Sequence, residues 1–316
     1  MKIGYHLSSE EHAPNDLVRN ARLAEEAGFE FAMISDHFHP WIDQQGHSPF
    51  VWAVIGGIAH STSSLHLTTS VTCPTIRIHP GIIAHAAATA GSMMPGRFSL
   101  GLGAGEALNE HIFGDPWPRG KIRLDLLEES IEVIRGLWEG DYYSHDGSSY
   151  YVEEAKIYDL PDDPIPILVA AGGEVAAKLA GENADGLIAT GPDESLIDAF
   201  KKAGGQGKPL YGKVTVCWAP DEKQARETAH RIWPNGAIHG DPMTDLPTPK
   251  HFETIAEFVT EDQVAESVVC SPDRDPHLEK IAEYRDAGFD HICVHQIGPD
   301  QQGFFNFYEK EILPNL

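Results

Sequence analysis

The segment Ser35–Trp41 (SDHFHPW) holds an unusual group of reactive side chains, with one carboxylate, two imidazoles and one indole. Asp36, His37 and His39 are all metal-ligand types, and an imidazole is also suited to general acid or base catalysis near neutral pH. A polar loop whose histidines hydrogen-bond to backbone carbonyls would use the same residues. The residue types leave these three interpretations open, although no second cluster of His and Asp supports a metal site.

A second reactive segment is Gly101–Glu110 (GLGAGEALNE). It resembles a dinucleotide fingerprint, but the third glycine of GxGxxG falls on Glu106, which argues against a Rossmann turn. The glycines at 101, 103 and 105 would let a flat ring approach the backbone closely. Glu106 would then face that ring, whereas the alternative is a tight turn with a solvated glutamate.

The segment Ala170–Gly173 precedes a predicted helix that starts at Glu174. Two glycines before a helix leave backbone N–H groups open to a phosphate. A simple strand–helix turn explains the same sequence, and the carboxylate of Glu174 would compete with a bound phosphate.

Eight short apolar segments alternate with helical patterns and position these loops. This alternation predicts a parallel (β/α)₈ TIM barrel, in which chemistry lies at the carboxyl ends of the strands. A doubly wound sheet is the alternative, but its usual glycine-rich first turn is absent. The predicted strands are Lys2–Leu7, Phe29–Ser35, Leu65–Val71, Arg97–Gly101, Ile165–Ala171, Gly186–Ala189, Leu210–Trp218 and His291–Ile297.

Two segments interrupt the alternation. Residues Tyr142–Val152 are polar and hairpin-like, and residues 234–274 are rich in proline and glycine. We interpret residues 1–316 as one barrel domain, with 234–274 as a partly helical insertion before the last strand. Insertions of this kind often cover a barrel's active site.

The composition excludes several classes of protein. With 23 basic and 48 acidic residues, the net charge of −25 opposes binding to nucleic acid and to anionic membranes. No apolar stretch has the length of a membrane span, and the N-terminus does not resemble a signal peptide. The four cysteines form no CxxC pair, so we expect reduced thiols in a cytoplasmic protein, with Cys73 a small buried residue rather than a nucleophile.

Four motifs together resemble a known family. In order along the chain they are SDHFHPW, TSVTCPT, GAGEALNE and VAAGGEVAAKLAGENADGLIATG. The sequence is similar to the luciferase-like superfamily of flavin and deazaflavin oxidoreductases. Within it, the resemblance is to the group of deazaflavin-dependent glucose-6-phosphate dehydrogenases and secondary alcohol dehydrogenases. The resemblance implies a TIM barrel, a homodimer and the deazaflavin coenzyme F420.

The resemblance also implies cofactor-binding residues. A non-prolyl cis peptide at Ser70–Val71 would bulge against the ring. Residues that would line the ring and its ribityl chain are Asp36, Ser70, Val71, Gly105 and Asn109. Residues that would hold the cofactor phosphate are Ala170, Ala171, Gly172 and Gly173.

The mechanism implied by the resemblance is hydride transfer between an alcohol carbon and the deazaflavin. His37 matches the base that takes the hydroxyl proton, and Trp41 matches a residue beside the reacting centre. Glu106 matches the acid near the ring nitrogen. The hydroxyl proton would then go to His37 and the hydride to the deazaflavin, so each has its own acceptor. No metal is implied.

The substrate is less well defined. Thr190 and Lys250 are predicted for the substrate pocket, but neutral Thr254 and Ser267 align with basic phosphate-binding positions of sugar-phosphate relatives. We therefore expect an uncharged alcohol, sugar or carbonyl compound. The alternatives are a sugar-6-phosphate dehydrogenase with a divergent phosphate site, an FMN-dependent monooxygenase or reductase, and a protein that binds the deazaflavin without turnover.

Overall fold

The computed structural model describes all residues, 1–316. Eleven strands form, and eight of them occupy the places predicted for the barrel. In chain order the strands β1–β11 are Lys2–Leu7, Phe31–Ile34, His66–Thr69, Phe98–Leu102, Tyr143–Asp146, Tyr151–Ala155, Ile167–Ala170, Gly186–Ala189, Leu210–Cys217, Val269–Cys270 and His291–Gln296.

The main sheet closes on itself into a parallel barrel. Its strands follow the order β11-β1-β2-β3-β4-β7-β8-β9, and β9 also pairs with β11. Closure and the parallel pairing confirm the predicted TIM barrel and exclude the doubly wound sheet. Because all strands run the same way, the loops that follow them meet at one end of the barrel.

Helices surround the barrel. In chain order the helices α1–α13 are Pro14–Glu26, Val51–Ser61, Pro80–Met93, Ala107–Glu110, Gly120–Leu137, Glu174–Asn183, Glu194–Phe200, Glu222–Ile232, Asp241–Asp245, Pro249–Ala256, Glu261–Ser267, Arg274–Asp286 and Gln301–Phe307. The sequence patterns had not predicted α12. Its polar composition weakens the helical pattern, although Ile281 and Tyr284 are buried.

The core has an outer and an inner part. The outer part lies between the helices and the barrel, where the strands bury apolar side chains on both faces. The inner part fills the barrel beneath the loops, so the cavity described below has a packed floor. Its buried members are Phe31, Met33, Leu168, Ile188, Tyr211 and Cys293.

The two segments that interrupt the alternation form separate structures. Strands β5 and β6 pair antiparallel as a hairpin. Residues 234–274 contain helices α9–α11 and strand β10, which pairs with β9. Phe252 of α10 packs edge-on against Trp41, with 5.1 Å between ring centroids, so this segment contacts the loop after β2.

The four cysteines are unpaired, and Cys73, Cys217 and Cys293 are buried. None of the helices combines the length and apolar character needed to cross a bilayer.

Candidate active site

A cavity of about 320 Å³ opens at the carboxyl end of the barrel. Its walls come from the loops after β1, β2, β3, β4, β7 and β8 and from the side of β9. The predicted site residues that line it are Asp36, His37, Trp41, Ser70, Val71, Gly105, Glu106, Asn109, Ala170, Ala171, Gly172 and Thr190.

Two predicted residues lie outside this lining. Gly173 lies between Gly172, which lines the cavity, and the first residue of α6, and it does not itself line the cavity. Lys250 is exposed on α10 and does not line the cavity, although it was predicted for the substrate pocket. Thr254 follows it on the same helix, where its hydroxyl donates to the Lys250 carbonyl at 2.9 Å.

His37 is oriented by its own loop. Its Nδ1 lies 3.0 Å from the carbonyl oxygen of His39, and a carbonyl can only accept, so Nδ1 carries the proton. In the neutral ring, Nε2 therefore holds the free lone pair. Nε2 lies 3.3 Å from Glu10 Oε1 and 3.8 Å from Glu106 Oε2. An imidazole held in this way can accept a proton at Nε2, and the resulting cation would face two carboxyl groups.

Glu10 was not predicted. It follows β1, it is almost fully buried, and its Oε2 accepts hydrogen bonds from the hydroxyls of Ser35 at 2.6 Å and Ser8 at 3.1 Å. Burial opposes ionisation, but the nearby His37 ring and the Ser35 hydroxyl together lower the pKa of the Glu10 carboxyl. Glu10 is therefore suited to remain charged as the counter-ion of a protonated His37.

Glu106 has the opposite tendency. Burial raises the pKa of its carboxyl; His37 opposes that shift and the charge of Glu10 adds to it. The side chain is 32% exposed toward the cavity, and its Oε2 accepts from Asn109 Nδ2 at 3.3 Å. The two carboxyls on either side of one imidazole thus differ in environment, one favouring the anion and one favouring the acid.

Asn109 joins the two reactive loops. Its Oδ1 accepts from the backbone N–H groups of Phe38 at 2.8 Å and His39 at 3.2 Å. Because its Nδ2 donates to Glu106, one amide fixes the loop of His37 relative to the acid. Asn109 acts in this geometry as a positioning residue.

A buried ion-pair cluster holds the loops after β2, β3 and β4 together. Arg77 Nη2 contacts Asp36 Oδ1 at 2.9 Å, and Arg77 Nε lies 3.4 Å from Glu110 Oε1. The hydroxyl of Thr72 donates to the other Asp36 oxygen at 2.9 Å. Both oxygens of Asp36 are therefore in contact with protein groups. Arg77 was not predicted, because only the folded chain brings it to Asp36.

The loop after β3 and the glycine loop after β4 pack against each other. The Ser70–Val71 peptide is cis, as the resemblance implied. A Cβ added at Gly103 would lie 2.5 Å from Val71 Cγ2, and Gly105 has φ +83°. These two glycines are needed for the close packing, which forms a flat wall that includes Val71 and is suited to an aromatic ring.

The predicted phosphate loop is open. Nothing lies within 4 Å of the Cβ positions of Gly172 and Gly173, so a ligand group has room to approach their backbone. Helix α6 begins directly after them, at Glu174. The arrangement fits a phosphate at backbone N–H groups.

Several unpredicted residues complete the cavity. Lys213 reaches it from β9, Trp233 from the end of α8, and Thr244 from α9. His6 of β1 is buried, and its pKa is lowered by burial and then by the charge of Lys213. The single charge in the otherwise uncharged strand β9 is the sequence signal that could have identified Lys213.

Comparisons with known proteins identify the family of this chain. The sequence model of a family described as luciferase-like monooxygenase matches residues 1–291. The F420-dependent glucose-6-phosphate dehydrogenase of Beutenbergia cavernae is 38% identical, with 100% of this chain and 97% of that protein covered. The enzyme of the same name from Nakamurella multipartita is 39% identical, with coverage of 100% and 96%.

Two solved structures of F420-dependent enzymes are also similar to this chain. An F420-dependent secondary alcohol dehydrogenase, solved in complex with an F420–acetone adduct, has a TM-score of 0.91 and 30% identity and covers 98% of both chains. The F420-dependent tetrahydromethanopterin reductase of Methanopyrus kandleri has a TM-score of 0.81 at 22% identity, covering 99% of both chains, and so supports the fold alone.

Proposed function

Because the chain belongs to the luciferase-like monooxygenase family, we propose that it is a coenzyme F420-dependent oxidoreductase acting on CH–OH groups. In this proposal it transfers a hydride between an alcohol carbon and the deazaflavin. The observation that carries the proposal is the placement of His37 Nε2 between the carboxyls of Glu10 and Glu106, next to the wall that includes Val71.

The residues around the cavity fit the cofactor. Val71 and the glycine loop form a flat surface for its ring, and the open backbone at Gly172 and Gly173 accommodates its phosphate. When bound, the deazaflavin supplies a ring carbon that accepts a hydride and a ring nitrogen that accepts a proton. Ser70, Gly105 and Asn109 would line the ring and ribityl chain.

The protein's own groups move the protons. His37 takes the hydroxyl proton at Nε2, and the charge of Glu10 stabilises the imidazolium. The raised pKa of Glu106 favours its protonated form, and that form can release a proton at the cavity. The proton that His37 takes up balances the one that Glu106 gives up, and the two groups lie near each other, with 3.8 Å between His37 Nε2 and Glu106 Oε2.

Trp41 forms the wall beside the base. Its ring centroid lies 5.2 Å from that of His37, and Phe252 packs on it from the 234–274 segment. The indole excludes water from one side of the imidazole and supplies an apolar surface for the substrate carbon. In this role the 234–274 segment covers the site.

We further place this enzyme in the cytoplasm and expect a homodimer. Four unpaired cysteines fit a reducing compartment. Gel filtration with light scattering tests the oligomeric state.

The proposed function is tested by titrating the protein with F420, FMN, FAD and NADP and following absorbance and fluorescence. We expect binding of F420 and its reduction on addition of an alcohol. Tight binding of FMN without binding of F420 would instead support a flavin-dependent monooxygenase or reductase. Binding of F420 without reduction by any alcohol or sugar would indicate a carrier protein.

A further inference from the structure

Lys213 occupies an unusual place in the barrel. It lies in the middle of β9, two residues after Tyr211, which faces the barrel interior. Side chains of a strand alternate between its faces, so Lys213 shares the inner face and lies nearer the carboxyl end. Its half-buried side chain lines the same cavity as His37 and Glu106.

The ammonium group of Lys213 is the uncommitted cation of this site. Arg77 is engaged by Asp36 and Glu110. Arg123 donates to the Pro118 carbonyl and stacks over Trp117 at 4.5 Å. Lys213 forms no ion pair, and removing an ammonium from bulk water without a partner costs free energy.

The acidic residues of the cavity do not supply that partner. Glu10 is in contact with His37 and two serine hydroxyls, and it is not in ion-pair contact with Lys213. Burial raises the pKa of Glu106, which favours its neutral form. The ammonium of Lys213 is therefore available as a local cationic partner for an incoming anion, although the whole protein carries −25.

The surroundings of Lys213 belong to the substrate side of the cavity. Tyr284 Oη lies 2.9 Å from the carbonyl oxygens of both Thr190 and Lys213, which fixes these two backbone positions side by side. Thr190, Trp41 and Trp233 line the same space. One cation, one hydroxyl and aromatic walls match a small organic molecule that carries one oxyanion.

From these contacts we infer that Lys213 binds an oxyanion on the substrate, so the natural substrate is an anionic alcohol or its carbonyl form. A carboxylate fits best, because a single ammonium matches one negative charge, and a phosphate is the other source of the same chemistry. This inference rests on the proposed function and replaces the expectation of an uncharged alcohol. It also places the anion site on β9 rather than at the Thr254 and Ser267 positions.

The test compares matched substrates and matched variants. Lactate and isopropanol differ by a carboxylate in place of a methyl group, and glucose 6-phosphate and glucose differ by a phosphate. Each is assayed with F420 in the wild type, Lys213→Gln, Lys213→Arg and, as a control at an exposed pair, Lys223→Gln. We expect the wild-type ratio of kcat/KM for the anionic over the neutral partner to exceed about tenfold for at least one pair.

In Lys213→Gln that ratio should fall about tenfold or more, mainly through KM, because the charged hydrogen bond is lost. Lys213→Arg should restore part of it, and Lys223→Gln should leave it at the wild-type value. F420 affinity, measured by fluorescence quenching, should change less than about twofold in both Lys213 variants. A wild type that prefers the neutral partners, or an unchanged ratio in Lys213→Gln, would overturn the inference.

Ligand-dependent thermal shifts separate this inference from the proposed function. Lactate or glucose 6-phosphate should raise the Tm of the cofactor-free wild type, and that shift should vanish in Lys213→Gln but persist in Lys223→Gln. If no alcohol reduces F420 while this pattern holds, the proposed function fails and the anion site stands. Loss of F420 binding in Lys213→Gln with an unchanged anion shift would instead assign Lys213 to the cofactor.

Discussion

The two ends of the barrel use acidic side chains in opposite ways. At the amino end, carboxylates bind backbone N–H groups where strands begin. Glu25 accepts from Ser63 at 2.9 Å and from Leu65 at 2.8 Å ahead of β3, and Asp185 accepts from Ile167 at the start of β7 at 2.8 Å. At the carboxyl end, Glu10 and Glu106 flank one imidazole and leave it open to the cavity.

The difference shows how one fold separates stability from chemistry. A carboxylate saturated by fixed backbone donors is held as an anion and contributes to folding. A carboxyl beside an imidazole can exchange a proton, and it contributes to a reaction instead. We therefore expect substitutions of acidic residues at the carboxyl end to change the reaction rate. Substitutions of those at the amino end should change the free energy of unfolding.

The largest expected effect follows from His37→Ala. We expect kcat to fall about 10³-fold, because the group that accepts the hydroxyl proton is removed. The affinity for F420 and the Tm should stay close to the wild-type values. Single-turnover kinetics and fluorescence titration measure both quantities.

The control is His39→Ala in the same loop, since His39 Nδ1 contacts only the Leu108 carbonyl. The kcat of His39→Ala should fall far less than the kcat of His37→Ala. Equal losses in the two variants, or loss of F420 binding in His37→Ala, would contradict the assigned role.

Arg77→Met tests an exception to this division, because Arg77 lies at the carboxyl end of the barrel yet has a structural role. Its loss leaves Asp36 and Glu110 as buried carboxyls without a cation, so we expect the free energy of unfolding to fall by about 3 kcal/mol. Urea denaturation followed by fluorescence measures the change. Arg19→Met at the exposed pair with Asp16 is the control, and a similar small loss in both variants would refute the argument.

Glu106→Gln separates the roles of the two carboxyls at the carboxyl end of the barrel. We expect kcat at neutral pH to fall about 10²-fold, because the amide keeps the contact with Asn109 but has no acid proton. In the wild type, the raised pKa of Glu106 keeps its proton to higher pH, so kcat should fall as pH rises through that pKa.

The pH–rate profile of Glu106→Gln should lack this alkaline decline, whereas Glu10→Gln should keep it. An unchanged alkaline limb in Glu106→Gln would mean that another group supplies the proton.

Glu25→Gln tests the amino end and has the smallest expected effect. Burial opposes ionisation, but the backbone N–H groups of Ser64 and Leu65 lower the pKa of Glu25 from 4.5 to about 2. We expect a loss of about 1 kcal/mol in the free energy of unfolding at neutral pH, because charged hydrogen bonds become neutral ones. The kcat should stay at the wild-type value.

The depressed pKa of Glu25 sets the sign of the pH dependence. Its contribution to stability is complete above pH 4.5 and is lost as pH falls toward 2, so the gap between wild type and Glu25→Gln should close over that range. Glu26→Gln, at the exposed neighbouring position, should show no gap. A gap that persists at low pH would rule out this charge effect.

The fold could be predicted from sequence because its signals are local. The near-continuous apolar run Ile165–Ala171 predicted a buried parallel strand, and Ile167–Ala170 forms one. Helix α12 escaped prediction because its polar sequence gives a weak helical pattern and its helical state depends on packing of Ile281 and Tyr284. Periodicity within one segment carries no information about packing between segments.

The candidate site could be predicted only where reactive residues stand together in one loop. His37 and Glu106 were found because each belongs to a dense motif at a strand end. Glu10 and Arg77 were missed because their partners lie in other loops, and Lys213 because only the closed barrel brings it to the cavity. The local signal for Lys213 was its charge, which is the only one in strand β9.

The amide of Asn109 has a consequence for motion. Because it bonds to the backbone of Phe38 and His39 and to the carboxyl of Glu106, a displacement of either loop carries the other with it. Thermal fluctuations of the base and the acid are therefore correlated, and the gap between them changes less than the position of either. A displacement of the two loops as a pair would conserve this internal distance.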